Sequence, residues 1–261
     1  MSSLRPRVIP CLQFAGGELF KTRRFKNPLY LGDPINAVKL FNDLECDELV
    51  VVDIKATLEG RGPDYAMIEE FASEAFMPLA YGGGITSVEQ IRRIFSIGIE
   101  KVVVGAAAPD GRLLSEAASV FGAQSIVAAI DVKKTLLGKR AVFTRSGTHK
   151  LNADPVEYAV QMEACGAGEL FVQSIDLETS RRGYDLELMR EVSAAVKIPV
   201  VGCGGAGSLE DIRQLLNSTG AAAAAAGTLF VLHGKHDAPL ISYPRPNEIA
   251  SLMDRAKGPI T

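Results

Sequence analysis

The sequence predicts an α/β fold: a single (β/α)8 barrel over residues 1–261, built from two homologous halves of about 1–122 and 123–261. Three observations carry this. The length of 261 residues sits near the roughly 250 typical of such barrels, with 47% hydrophobic residues to fill a core. The stretch Pro199-Val-Val-Gly-Cys-Gly-Gly-Ala-Gly-Ser-Leu-Glu-Asp-Ile-Arg213 reads as a buried strand, a glycine turn and a helix start. It has a second copy at Pro78-Leu-Ala-Tyr-Gly-Gly-Gly-Ile-Thr-Ser-Val-Glu-Gln-Ile-Arg92, offset by 121 residues. The same offset relates Asp33-Pro34 to Asp154-Pro155, Glu48-Leu49 to Glu169-Leu170, and Asp64 to Asp185. An open doubly wound sheet is the alternative for alternating strands and helices, and the matched half-repeat favours closure.

In chain order, Arg7–Gln13 is the first strand, and the basic segment Gly16–Gly32 is expected as a loop over one mouth. Asp33 caps a helix with Pro34 in its first turn. The second strand, Glu48–Ile54, is valine-rich, as strands buried on both faces of a parallel sheet are. A helix from about Asp64 precedes the Pro78 strand, and Ser87 caps a helix ending near Gly98. Lys101–Gly105 is strand four, followed by a helix over Arg112–Phe121. Ser125–Asp131 is strand five, and Lys133–Lys150 is expected to form a hairpin. Strands six and seven start at Glu169 and Pro199. The alanine run Ala221–Ala226 is strand eight, its small side chains permitting close packing.

The net charge of −3 argues against nucleic acid as the main partner. No apolar run of about 18 residues predicts a membrane span, and the Met1–Arg7 start carries no apolar signal region, so a cytoplasmic location is expected. Cys11, Cys46, Cys165 and Cys203 form no CxxC and read as reduced, buried thiols. His233-Gly-Lys-His236 reads as surface loop, so no metal is expected. Neither a Rossmann fingerprint nor a P-loop is present, and no cofactor is expected.

In a barrel of this kind the loops after the strands form the active face. Glycine turns ahead of helix N-termini let backbone N–H groups approach an anion, and the helix dipole adds roughly half a positive charge there. The candidates are Gly83 and Gly84 with Gly105, and Gly204 and Gly205 with Gly227 and Thr228. The plain alternative for each is a tight βα turn. Two matched sites point to an elongated, phosphorylated small molecule. Asp131 ends strand five and Asp53 strand two, while Asp176 and Glu178 follow strand six. Each is a candidate acid, base or ligand contact, or a helix cap. Lys21 and Lys55 are candidate cations in loops that are otherwise solvated. At the opposite mouth, Arg7, Glu48, Lys101 and Glu169 stand at strand starts, and Arg7, Lys101 and Glu169 share inward parity with Cys11, Gly105 and Gln173. They form either a ring of alternating charge closing the barrel bottom or ordinary charges facing water.

Over nearly its full length the chain resembles the HisF family, the cyclase (lyase-type) subunit of imidazole glycerol phosphate synthase in histidine biosynthesis. The resemblance lies in Arg7-Val-Ile-Pro-Cys-Leu12, Asp47-Glu-Leu-Val-Val-Val-Asp-Ile54, Gly82-Gly-Gly-Ile85, Phe121-Gly-Ala-Gln-Ser125, Ala129-Ile-Asp131, Gly183-Tyr-Asp-Leu-Glu187 and Gly204-Gly-Ala-Gly207. It implies two phosphate sites and a glutaminase (HisH-like) subunit docked on the barrel bottom. It also implies ammonia passing through the barrel behind a gate of Arg7, Glu48, Lys101 and Glu169. The family's catalytic aspartates map to Asp131 and to Gln13, which cannot ionise. The family's Asn-Thr after strand four is Gly105-Ala106 here, and its Asp-Arg-Asp-Gly-Thr after strand six is Asp176-Leu-Glu-Thr-Ser180. By these departures the Gly204 turn, with Gly227-Thr228 beside it, is the better expected anion site, and the Gly83 turn has lost its side-chain donors. Phe25-Lys26, Phe76-Met-Pro78, Tyr81-Gly-Gly-Gly84 and Leu240-Ile-Ser-Tyr-Pro244 resemble HisF-like paralogues associated with acetamidino-sugar amidation in surface polysaccharide biosynthesis. That implies an ATP-dependent sugar amidotransferase as a further partner, with the barrel a catalyst or a conduit.

Overall fold

The computed structural model describes residues 6–135, 138–234 and 236–252. Eight parallel strands close on themselves: β1 (Arg7–Ala15), β2 (Leu49–Asp53), β3 (Leu79–Gly82), β4 (Lys101–Val104), β5 (Ile126–Lys134), β6 (Glu169–Ser174), β7 (Val200–Cys203) and β8 (Ala223–Ala226). Each pairs with its successor, and β8 returns to β1 with Arg7 opposite Ala223. The fold is the (β/α)8 barrel that the half-repeat predicts.

Side-chain alternation divides each strand between two cores. One face of the staves packs on the helices through residues such as Val8, Leu49, Val51, Tyr81 and Leu170. The other lines the barrel interior with Ile9, Cys11, Val50, Ala80, Val103, Val127, Phe171, Val201, Cys203, Ala223 and Ala225. Barrel interiors of this class are usually filled by large branched residues. Here alanine and cysteine supply five of these eleven positions, so the interior is apolar but thinly filled.

The helices outside are α1 (Pro34–Asp43), α2 (Tyr65–Glu74), α3 (Val88–Ile97), α4 (Arg112–Phe121), α5 (Pro155–Ala164), α6 (Leu186–Ala195), α7 (Leu209–Ser218), the short α8 (Thr228–Val231) and α9 (Pro246–Ser251). The 121-residue repeat is a repeat of caps. Asp33 and Asp154 accept from the second and third N–H groups of α1 and α5. Asp64 and Asp185 each accept from the third N–H group alone, that of Met67 in α2 and of Leu188 in α6. Ser87 and Ser208 close reciprocal capping boxes with Gln90 and Asp211.

Two excursions rise above the strand C-termini. The segment expected as a loop after β1 is a β-hairpin, Glu18–Arg23 against Lys26–Gly32, with Phe20 paired to Gln13. Arg24 and Phe25, both at positive φ, form the two-residue turn whose twist suits a hairpin. After Asp131, β5 runs on and pairs antiparallel with Arg140–Thr144. That is the hairpin expected within Lys133–Lys150, of which residues 136 and 137 lie outside the described residues. Arg140 bonds Asp185 at 2.7 Å, tying this hairpin to the start of α6. Among the described residues, no helix is long and apolar enough to cross a membrane.

Candidate functional site

At the bottom mouth the four strand-start charges converge into a closed ring. Arg7 bonds Glu48 at 2.7 Å and also bonds Glu169, while Lys101 reaches Glu48 and Glu169 at 2.8 Å each. Each carboxylate bridges two cations, so the ring is neutral. Its side chains are largely buried: 6% exposed for both glutamates, 20% for Lys101 and 30% for Arg7. Burial works against the charge of Glu169, but Arg7 and Lys101 outweigh it and hold that carboxyl below the usual carboxylate range. Burial likewise opposes the Arg7 guanidinium, and Glu169 and Glu48 more than offset it. Glu48 turns inward because it lies two residues before the interior Val50.

At the top, a cavity of about 270 Å³ opens on the side of the first half-barrel and reaches down to Val50, Val103 and Phe171 of the interior. Gly83, Gly84, Gly105, Asp53 and Asp131 all line it. Gly83 and Gly84 hold φ of +130° and +68°, and a Cβ on Gly83 would stand 2.8 Å from the Cβ of Asp53. Only glycine fits that turn, which carries the chain from β3 into α3. Asp53 serves the βα turn itself: its carboxylate accepts from Lys55 and Ala56 N–H at 2.9 Å and from Arg61 at 3.3 Å.

Asp131 has no such occupation. Among the described residues no group hydrogen-bonds its carboxylate. Burial and, second, the nearby Glu178 carboxylate push its pKa up to about 7. Gln173, opposite Asp131 in the β5–β6 register, is 9% exposed and also has no hydrogen bond among the described residues. Gln173 shares the inward parity of Glu169, the one signal in the sequence that could have placed it here.

Gln13 does not stand free as a catalytic acid would. Its Nε2 donates to Glu178 at 2.7 Å, and its Oε1 accepts from the N–H of Thr22 at 2.8 Å. Glu178, 4% exposed, is a hub. It also accepts from Lys21, from the Thr22 hydroxyl at 2.8 Å and from Phe25 N–H at 2.7 Å. The hub clamps the first hairpin onto the loop after β6. Asp176 stands apart and accepts from Lys134 N–H at 2.7 Å.

The second glycine turn lies against this hub. Around Gly204, Gly205, Gly227 and Thr228 only about 20 Å³ is open. More open space lies at the Gly83 turn, while Lys21, Glu178 and Thr179 stand close to the Gly204 turn. Among the described residues no three His, Cys, Asp or Glu side chains converge as a metal site would require. Cys11, Cys46 and Cys203 are buried free thiols, and Cys165 is partly buried.

A family model of histidine biosynthesis proteins matches residues 7–237. A protein of Pseudomonas aeruginosa provisionally named imidazole glycerol phosphate synthase subunit hisF2 is 46% identical over 94% of this chain and 98% of its own length. The chain belongs to the HisF family. A Leptospira interrogans protein with the provisional name HisF is 45% identical over 96% of the chain and 99% of its own. The imidazole glycerol phosphate synthase subunit HisF of Sulfurisphaera tokodaii is 40% identical over 84% of the chain and 88% of its own. In this HisF-family barrel four charges close the bottom mouth, Asp131 lines the upper cavity, and Gln13 is bound into the Glu178 hub.

Proposed function

We propose that this HisF-like barrel accepts ammonia from a glutaminase docked on its bottom mouth and passes it through the interior to an acceptor at the top. The observation that carries the reading is the neutral, closed ring of Arg7, Glu48, Lys101 and Glu169 beneath an apolar lumen that opens into the upper cavity. A neutral ring under apolar walls suits an uncharged nitrogen donor, since unpaired ions are costly to bury there. The upper cavity holds a phosphorylated small molecule at the Gly83–Gly84 turn.

The acceptor pathway is sugar amidation in surface polysaccharide biosynthesis, with an ATP-dependent amidotransferase as the consumer. Support for this comes from the paralogue-like segments at Phe25, Phe76 and Leu240 and from the replacement of the first family acid by Gln13. The cyclase reaction of histidine biosynthesis is a second reading, favoured by Asp131 with its pKa near 7. Purified barrel supplied with the histidine-pathway ribonucleotide intermediate and an ammonium salt separates the two. The amidation reading expects no appreciable turnover, and robust turnover would sink it.

A further inference from the structure

The two hairpins above the strand C-termini hold a charge that the rest of the chain does not. Residues 16–32 and 133–150 carry ten of the 28 Lys and Arg but one of the 31 Asp and Glu, a charge of +9 against −12 for the remainder. Lys21, Arg23 and Arg140 are engaged in ion pairs within the fold, with Glu178, Asp237 and Asp185. Arg24, Lys26, Arg145 and Lys150 are exposed, and none has an acidic partner among the described residues. The tips of the two hairpins meet. A Cβ on Gly147 would stand 3.1 Å from the Phe25 ring. The Ser146 hydroxyl donates to the carbonyl of Ile54 at 3.2 Å, which ties the tips to the loop after β2. Phe25, Pro28, Ser146 and Leu58 all line the upper cavity, so the joined tips form its rim.

We propose that this cationic rim is a docking surface for an acidic face of the ammonia-consuming amidotransferase, seated over the mouth of the upper cavity. The charge is placed for a protein and not for a small anion. Among the described residues that line the cavity only Lys55 is cationic. Arg24, Lys26, Arg145 and Lys150 stand outside it, where they meet whatever is laid across the mouth. Exposed apolar side chains accompany them: Leu58 at the rim, and Leu29 and Tyr30 on the hairpin strand just after Pro28. Tyr30 is held edge-on against Phe20, with ring centroids 6.1 Å apart, so it is a pre-positioned anchor. Protein interfaces combine such parts, with large side chains as anchors and unpaired charge for steering and register. The location supplies the partner. Ammonia reaching a cavity that is open to water escapes into it, so the enzyme that consumes the ammonia must close the mouth. The charge also separates the two ends of the barrel: the bottom ring is neutral and self-paired, and the uncompensated positive rim draws an acidic surface to the top. This deepens the reading of the barrel as an ammonia conduit and rests on it.

The test is binding of the purified barrel to the purified ATP-dependent amidotransferase of the same organism, by interferometry at about 50 and about 500 mM salt. A HisH-type glutaminase, which docks at the opposite mouth, is the control. The wild-type barrel is expected to bind the amidotransferase and to lose about tenfold in affinity at the higher salt. The triple variant Arg24→Glu, Lys26→Glu, Arg145→Glu is expected to lose about tenfold or more at the lower salt. It should bind the glutaminase as the wild type does, which also shows that it is folded. An amidotransferase that binds both chains alike, or alike at both salt concentrations, would overturn the docking surface. So would anionic-lipid vesicles or duplex DNA that bind the wild-type rim more tightly than the amidotransferase does. No complex at the lower salt would overturn it too, while the conduit stands or falls separately, on whether glutamine nitrogen reaches the product ahead of bulk ammonium. The wild-type salt dependence decides the matter even if the variant does not fold.

Discussion

Replacing Gln13 by glutamate tests the hub with almost no change of shape. The substitution puts a carboxylate oxygen where Nε2 now stands, 2.7 Å from Glu178 Oε1. With charge centres about 4 Å apart and an effective dielectric of about 20, the repulsion is about 4 kcal/mol. Lys21, bonded to Glu178, offsets about half of that, leaving roughly 2 kcal/mol at neutral pH. The pair answers by sharing a proton, so one carboxyl titrates well above the unfolded value near 4. A folded-state pKa raised in this way leaves stability intact below about pH 4 and removes it as pH rises through the raised value. Urea unfolding is therefore expected to show a midpoint about 0.7 M below wild type at pH 7, for a slope of about 3 kcal/mol/M. The gap should close as the pH falls toward 4.5. Equal midpoints at pH 7, or a gap that ignores pH, would refute the reasoning.

Asp131→Asn should abolish any proton-transfer step at the upper cavity and, by removing a carboxyl whose pKa is raised, should lift the unfolding midpoint at pH 7 above wild type, a gain that disappears toward pH 4. In the wild type, activity requiring protonated Asp131 should fall as pH rises through about 7, and activity requiring the carboxylate should rise over the same range. A rate profile without an inflection near 7 would remove Asp131 from the chemistry. Gly83→Ala must adopt φ of +130° and meet Asp53 at 2.8 Å, whereas Gly98→Ala, at φ +117°, meets nothing within 4 Å. Thermal unfolding should show the first costing roughly 2–3 kcal/mol and the second about 1 kcal/mol. Ser208→Ala removes the cap of α7 and should cost about 1 kcal/mol by chemical denaturation, as Ser87→Ala should for α3.

What the sequence made legible is whatever depends on near neighbours. Ser87 with Gln90, or Asp33 ahead of Pro34, satisfies helix N–H groups two or three residues away, so the caps and their 121-residue repeat can be read directly. Strand parity is just as local, and it put Arg7, Lys101 and Glu169 on the inner face. The Glu178 hub was hidden because Gln13 and Glu178 are 165 residues apart and meet only when the barrel closes. Nor could the sequence show that Lys21 of the first hairpin and Glu178 of the loop after β6 line the same small cavity as Gly204, Gly205 and Thr228. A departure such as Gln13 reads in isolation as a lost acid. Beside Glu178 it is the amide that both donates to a buried carboxylate and accepts from Thr22.

Ammonia that travels inside the barrel can be followed by its nitrogen isotope. The barrel, a HisH-type glutaminase and the ammonia-consuming enzyme are supplied with amide-15N glutamine in excess unlabelled ammonium, and the aminated product is weighed by mass spectrometry. Passage through the barrel predicts product carrying mainly 15N with the wild-type chain, and dilution toward the bulk isotope ratio with Lys101→Ala, which opens the ring. Wild-type product already at the bulk ratio would contradict it.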